Sequence, residues 1–444
     1  MIFSNKDLKK LIIPLMGEQI LSLTVGFVDQ LMVSQAGEAA VAGVALVDNI
    51  NRLIIQIMAA LATGGAVICS QYIGAGNEKR TKKAAGQLEL VLFVFALIMM
   101  GISVIFARPV LSGIFGNTEA AIMDYAVLYF TVTAISYPFL GIYNAGAAIF
   151  RSVGNSKISL YISLVMNIVN IIGNAFFVLC FKWGVFGVAL STLLSRVIGS
   201  AIMSYFIMRE KSPIRLNKFS DYLPNFSIIK KILFIGIPSG IENGMFQIGK
   251  LMVVRMVTTL GQAAIAANSV SYTIIDFANI PASSMGLALI TVVGQCIGAG
   301  RKDEAKHYVK KILLWAYIGD WICNITLFFL GHYITTWFNL SPEAVDIATV
   351  VLRAFNITSL FIWPLSFTLP NALRAAGDVH FTMIVSILSM WIFRVGSSYI
   401  FGLVLGFGVL GVWIGMFIDW GCRSIFFVSR FIGGHWLKRG SLAS

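Results

Sequence analysis

The chain has 444 residues, 58% hydrophobic and only 12% charged, and its 33 Lys and Arg against 20 Asp and Glu give a net charge of +13. A soluble domain carries roughly 25% charged residues, so this composition excludes a water-soluble enzyme and describes a membrane protein. The basic excess needs no nucleic-acid partner, because Lys and Arg in short cytoplasmic loops set membrane topology beside anionic lipid.

In chain order, twelve apolar runs are long enough to cross about 30 Å of hydrocarbon: residues 10–33, 44–73, 86–108, 122–150, 156–180, 184–208, 229–258, 268–297, 308–332, 345–371, 379–405 and 408–432. They are continuously apolar and lack period-two alternation, so they predict helices and not a barrel. The expected fold class is all-α and integral to the membrane, with twelve transmembrane helices in two pseudo-symmetric six-helix bundles. No small-residue cleavage site follows the first run, which therefore reads as a retained helix. Pro14, Gly26, Pro138 and Gly173 are places where helices can bend.

The two halves repeat at a spacing of 224 residues. Gln71-Tyr72-Ile73-Gly74-Ala75-Gly76 returns as Gln295-Cys296-Ile297-Gly298-Ala299-Gly300, and Ile13-Pro14 with Glu18 returns as Ile237-Pro238 with Glu242. Gly37-Glu38-Ala39-Ala40 matches Gly261-Gln262-Ala263-Ala264, and Gly184-Val185 matches Gly408-Val409. Arg151 and Gly154 match Arg374 and Gly377 one residue out of phase. The expected organisation is a first lobe at 1–210, a cytoplasmic linker at 211–227 and a second lobe at 228–444. Even helix numbers per half make this a parallel repeat, a plan common among secondary transporters. Of the 33 Lys and Arg, 24 fall at the termini and even-numbered loops, Lys211 and Arg439 among them, which predicts both termini in the cytoplasm.

The stretch Gly244 to Lys250 spells G-x-x-x-x-G-K, but Leu251 stands where a magnesium-binding Ser or Thr belongs and no strand precedes it. The four His are scattered, and the five Cys show no metal or redox spacing. An ATPase or zinc hydrolase is therefore not supported.

Charges at membrane depth cost at least about 2.5–3.5 kcal/mol each and face a bundle interior or a wet cavity. Those of the first half are Glu18, Asp29, Asp48 and Glu89 against Arg52 and Arg196. Those of the second are Glu242, Asp276, Asp320 and Asp419 against Lys250, Arg255, Arg353, Arg394 and Arg423. The first half is thus net acidic there and the second net basic. Asn170 aligns with Arg394, and Arg52 with Asp276. Asp419 and Arg423, at i and i+4, are spaced to pair. Asn170 and Asn174, one turn apart, offer amide oxygens suited to a hard cation.

The Pro14 to Asp29 spacing with Val28-Asp29-Gln30-Leu31-Met32-Val33, the segment Gly37 to Gly43, the two Ile-Gly-Ala-Gly turns and Phe150-Arg151-Ser152-Val153-Gly154-Asn155 resemble the multidrug and toxic compound extrusion (MATE) family, across nearly the whole chain. The resemblance implies a V-shaped pair of bundles. It also implies alternating access and export of amphipathic, often cationic compounds in exchange for H⁺ or Na⁺. It places Asp29 at the family's first-helix acid and maps the fifth-helix polar pair to Asn170 and Asn174. The second of these is Asp in some relatives. Glu242 comes one turn before the family's seventh-helix acid, with Phe246 and Gln247 near that place, and the tenth-helix acid of one branch is missing from Phe355 to Leu369.

The expected cation-coupling residues are Asp29, Asn170 and Asn174, with Glu18 and Asp48. The first three would be the metal ligands if the ion is Na⁺. Glu242, Gln247, Asp276 and Arg394 are the candidates for a substrate cleft. No catalytic residue and no cofactor beyond the coupling ion is expected. The expected partners are a small-molecule substrate and membrane lipid, and the chain is expected to be a monomer in the cell membrane. The alternative reading is a lipid-linked oligosaccharide flippase of the same broad superfamily, with Arg52, Lys250, Arg255, Arg353 and Arg394 holding pyrophosphate. An intramembrane acyltransferase would need a nucleophile or acid/base cluster that the sequence does not provide.

Overall fold

The structure is a computed structural model and describes residues 2–116, 119–210, 212–438 and 440–442; Lys211 and Arg439 lie outside the described residues. Among the described residues no strand occurs. The first half comprises α1 (Asn5–Val33), α2 (Glu38–Gly74), α3 (Glu78–Ile105), short α4 (Ala107–Phe115), α5 (Ala120–Ile135), α6 (Tyr137–Ser152), α7 (Lys157–Asn174) and α8 (Gly184–Met208). A one-turn helix, α9 (Phe219–Tyr222), lies in the linker. The second half comprises α10 (Phe226–Thr258), α11 (Gln262–Ala278), α12 (Ile280–Gly298), α13 (Lys302–Thr336), α14 (Pro342–Trp363), α15 (Leu369–Ala375), α16 (Val379–Leu388), α17 (Gly396–Tyr399) and α18 (Gly408–Ile432).

All twelve expected runs form helices. Ten helical stretches among the described residues are long and apolar enough to span a membrane, and α5 with α6 makes an eleventh, bent by 46°. α10, with 33 residues, occupies the place of the remaining expected run. The bend between α5 and α6 sits beside Pro138, which lacks an N–H for the ladder and so starts a new helix. Pro14, by contrast, lies inside an unbroken α1. The helix spanning 38–74 as one piece in the first half is split in the second between α11 and α12, where Pro281 follows the break at Asn279.

The repeated landmarks are turns. Gly76 and Gly300 end their helices with φ of +68° and +72°, a left-handed conformation that glycine adopts without a Cβ penalty. Ser4 caps α1 by accepting from the Asp7 N–H at 3.2 Å, while Asp7 Oδ2 accepts from the Ser4 N–H at 3.0 Å. A π-helical turn at Ala175–Cys180 recurs at Ile400–Val404, so the irregularity was duplicated with the sequence. Such turns inside helices often mark functional positions.

Contacts divide the chain into two compact units. One runs from Ser4 to Gly240, and the other from Ile241 onward, joined by Ile2 and Phe3. The sequence boundary after 227 and this division differ by the first half of α10, which packs on α2: a Cβ on Gly64 would lie 2.5 Å from the Ile232 carbonyl oxygen. Ile2 and Phe3 are drawn to α13, where the Phe3 N–H donates to Tyr308 Oη at 2.8 Å. The linker is tied to α3, with Lys83 Nζ donating to the carbonyls of Ser220 and Leu223 at 2.8 and 2.7 Å.

Candidate functional site

Within the unit Ser4–Gly240, α1, α7 and α8 bring four polar side chains into a closed ring. Asn174 Nδ2 donates to Asp29 Oδ1 at 2.7 Å and to Asn170 Oδ1 at 3.1 Å. Asn170 Nδ2 donates to Thr192 Oγ1 at 3.3 Å, and the Thr192 hydroxyl donates to Asp29 Oδ2 at 3.4 Å. Asn170, Asn174 and Thr192 are buried, and Asp29 is half-buried. Asn174 Oδ1 is buried with no hydrogen-bond partner. An orphaned acceptor of this kind costs roughly 1–3 kcal/mol unless something fills it.

The elements explain the meeting. Asn170 and Asn174 lie one turn apart on one face of α7, and Gly173 lets α7 approach α8. A Cβ there would stand 2.9 Å from Ser191 Oγ, next to Thr192.

Asp48 of α2 lies in the electrostatic field of Asp29, as does Arg196 of α8, and Asn51 and Tyr129 lie close to Asp48. Arg196 Nη1 donates to Ser136 Oγ at 2.7 Å, and Tyr137 Oη donates to Asn51 Oδ1 at 2.5 Å. This unit thus carries polar side chains on α1, α2, α6, α7 and α8. The sequence reading missed Thr192, Tyr129 and Asn51. The readable signal was Thr192 and Arg196 at i and i+4, a polar stripe on a mostly apolar run.

The structure sets Glu18 apart from the ring. It lies eleven residues before Asp29, about 16 Å along a helix. Its carboxylate accepts from Tyr143 Oη at 3.1 Å and Ser159 Oγ at 3.0 Å, and its Oε1 lies 3.7 Å from Arg151 Nη1. The second unit repeats this ion pair: Arg374 Nη2 lies 2.7 Å from Glu242 Oε1. Glu242, expected at a substrate cleft, is paired with Arg374.

Of the other cleft candidates, Gln247 is half-buried on α10, Asp276 is exposed on α11, and Arg394 is 1% exposed. Arg394 Nη2 donates to Tyr272 Oη at 3.1 Å, and its guanidinium lies 5.3 Å from the centre of the Phe246 ring. Lys250 and Arg423 approach the same ring at 5.4 and 5.0 Å. Asp419 and Arg423 pair at 2.9 Å, as their spacing predicts. Arg52, Arg255 and Arg353 are exposed. At the 224 offset the first-unit ring is replaced by Val253, Arg394, Ser398 and Met416, so the duplicated scaffold carries different chemistry in each copy.

A single carboxylate beside amide and hydroxyl groups, with an amide oxygen still free to serve as a ligand, can take a proton or a monovalent hard cation. Among the described residues no group of three or more His, Cys, Asp and Glu could hold a metal ion.

Comparison with known proteins agrees with this architecture. The MatE family model matches residues 14–176 and 238–400, one copy per half. The "Probable multidrug resistance protein NorM" of Thermotoga maritima is 27% identical over 99% of this chain and 94% of its own, and the "Uncharacterized transporter YisQ" of Bacillus subtilis is 28% identical over 96% and 94%. Among solved structures, a MATE protein in the bent conformation superposes with a TM-score of 0.88 at 20% identity, covering 97% of this chain and 94% of that one. An outward-facing multidrug resistance MATE transporter of the MOP superfamily gives 0.87 at 21%, covering 97% and 95%. With the family model matched in both halves and the fold shared throughout, this chain is a multi-pass membrane protein belonging to the MatE family.

Proposed function

We propose that this protein is a secondary active antiporter that exports amphipathic, cationic drugs or metabolites across the cytoplasmic membrane in exchange for H⁺ or Na⁺, by alternating access. The carrying observation is the ring of Asp29, Asn170, Asn174 and Thr192, which sets one carboxylate among two amides and a hydroxyl and leaves the Asn174 amide oxygen unpartnered. Its relatives described as multidrug resistance proteins support the export of drugs. Asp29 takes up the coupling ion with Asn170 and Asn174, and Asp48 adds negative potential. Binding the ion removes a partly desolvated charge and favours one state of the unit. The drug favours the other, since a ligand moves an equilibrium only through differential affinity. Drug contacts come from aromatic and Met side chains, which adapt to varied ligands. Both termini face the cytoplasm in this reading, and the chain acts as a monomer.

The test is efflux of several cationic compounds from proteoliposomes under an imposed pH or Na⁺ gradient. One gradient is expected to accelerate efflux, and indifference to both would contradict antiport.

One observation favours a second reading, a flippase for lipid-linked oligosaccharides. Arg394 and Arg423 bring buried positive charge to the Phe246 ring, and Arg394 has no carboxylate partner among the described residues. Tight binding of a lipid pyrophosphate, lost in Arg394→Met, would support it over drug export.

A further inference from the structure

The buried carboxylates of the unit beginning at Ile241 follow a rule with one exception. Glu242 pairs with Arg374, Asp378 with Arg430 and Asp419 with Arg423. Asp320, on α13 and fully buried, has no salt-bridge partner among the described residues. An uncompensated buried charge is far costlier than a paired one. At membrane depth, such residues mark ion pathways.

The surroundings of Asp320 are built from oxygen. Ser359 Oγ, on α14, reaches both carboxylate oxygens, at 3.3 and 3.1 Å. Asn324 is one turn further along α13 and fully buried. Its Nδ2 donates to the Asp320 carbonyl at 2.9 Å and approaches Ser359 Oγ at 3.5 Å, while its Oδ1 has no partner. Asn356 is 1% exposed, and neither of its amide atoms has a partner. It precedes Ser359 by three residues, so both fall on one face of α14. Two helices thus present to each other a carboxylate, a hydroxyl and two amides, with two amide oxygens unsatisfied. Burying such groups without partners is unfavourable unless something else completes them.

A ligand that completes this set must be positive and must accept oxygen ligands. A single carboxylate among neutral oxygens offers one unit of negative charge, which matches a monovalent hard cation better than Ca²⁺ or Mg²⁺. The position is also absent from the other repeat: Ala96 occupies the place of Asp320 at the 224 offset. A purely structural feature of the duplicated scaffold would be expected in both copies.

We propose that one Na⁺ binds between α13 and α14, held by the Asp320 carboxylate, Ser359 Oγ and the amide oxygens of Asn324 and Asn356. The site lies within the second unit and shares no residue with the Asp29 ring. It stands or falls independently of the antiport reading.

The experiment is equilibrium binding of ²²Na⁺ to purified protein in lipid nanodiscs at alkaline pH, in an Asp29→Asn background so that the first ring does not contribute. One Na⁺ per chain is expected. Asp320→Asn should weaken binding by about tenfold or more, and Asn356→Ala by a few fold, about 1 kcal/mol for one lost ligand. Each variant is checked for a monodisperse elution profile, and if Asp320→Asn fails that check, Asn356→Ala and Ser359→Ala decide. No Na⁺ bound in the Asp29→Asn background, or binding unchanged by these substitutions, would overturn the assignment.

Discussion

Asn174 hands its amide hydrogen to Asp29 Oδ1 at 2.7 Å across two helices that are 145 residues apart in sequence. The same Nδ2 reaches Asn170 Oδ1, so one amide group holds both the carboxylate and its helical neighbour. Replacing it with Ala removes the bond that orients Asp29 and the orphaned oxygen that would face an ion. Asn174→Ala is expected to lower ion-driven efflux about tenfold, corresponding to about 1.4 kcal/mol, with protein yield unchanged. Rates in proteoliposomes under the driving gradient measure this, and efflux equal to wild type would remove Asn174 from the site.

The approach of α7 to α8 rests on a missing side chain. A Cβ at Gly173 would meet Ser191 Oγ at 2.9 Å and its Cβ at 3.1 Å. Gly173→Ala should therefore cost about 1–3 kcal/mol through overpacking, read as a lowered midpoint of thermal unfolding in detergent. The double variant Gly173→Ala with Ser191→Gly removes both clashing atoms and should recover most of the loss. A double variant no better than the single would show that the strain lies elsewhere.

The duplicated ion pairs differ in their support. Glu242 relies on Arg374, with its second oxygen unpartnered, whereas Glu18 also accepts from Tyr143 and Ser159. Glu242→Gln leaves a mostly buried guanidinium without its anion, a change in the range of about 3–5 kcal/mol. Glu18→Gln keeps an acceptor for one hydroxyl and offers an amide N–H to the oxygen of the other, and should cost less. Unfolding midpoints of the two variants, measured side by side, should rank Glu242→Gln well below Glu18→Gln, and the reverse order would contradict this account.

Much of the fold was readable because it depends on local properties. Twelve apolar runs needed only length and composition, and the duplication needed only the recurrence of turn residues such as Gly76 and Gly300. Asp29, Asn170 and Asn174 could be grouped through the family resemblance and one-turn spacing, and the structure does bring them together. Glu18 could not be placed, because its partner Arg151 lies on another helix and no local pattern signals which charges meet. Thr192 was missed for a related reason: it is one of several hydroxyls on α8, where Ser191 and Ser195 bond their own backbone, and beyond its one-turn spacing from Arg196 it is tertiary contact with Asp29 that distinguishes it. Asp320 was visible as a buried charge, but Ser359, Asn324 and Asn356 become its surroundings only once α13 packs on α14. The division of the chain inside α10 at Gly240 is likewise a packing outcome, since polarity alone drew the boundary at the linker.

The most direct test of the central claim pairs wild-type protein with Asp29→Asn in proteoliposomes, under whichever imposed gradient drives export of a cationic compound. Removing the charge while keeping the shape should abolish gradient-driven efflux, leaving the rate at that of protein-free vesicles while the protein remains folded and able to bind the compound. Gradient-driven efflux by Asp29→Asn at the wild-type rate would contradict the assignment of Asp29 as the coupling residue.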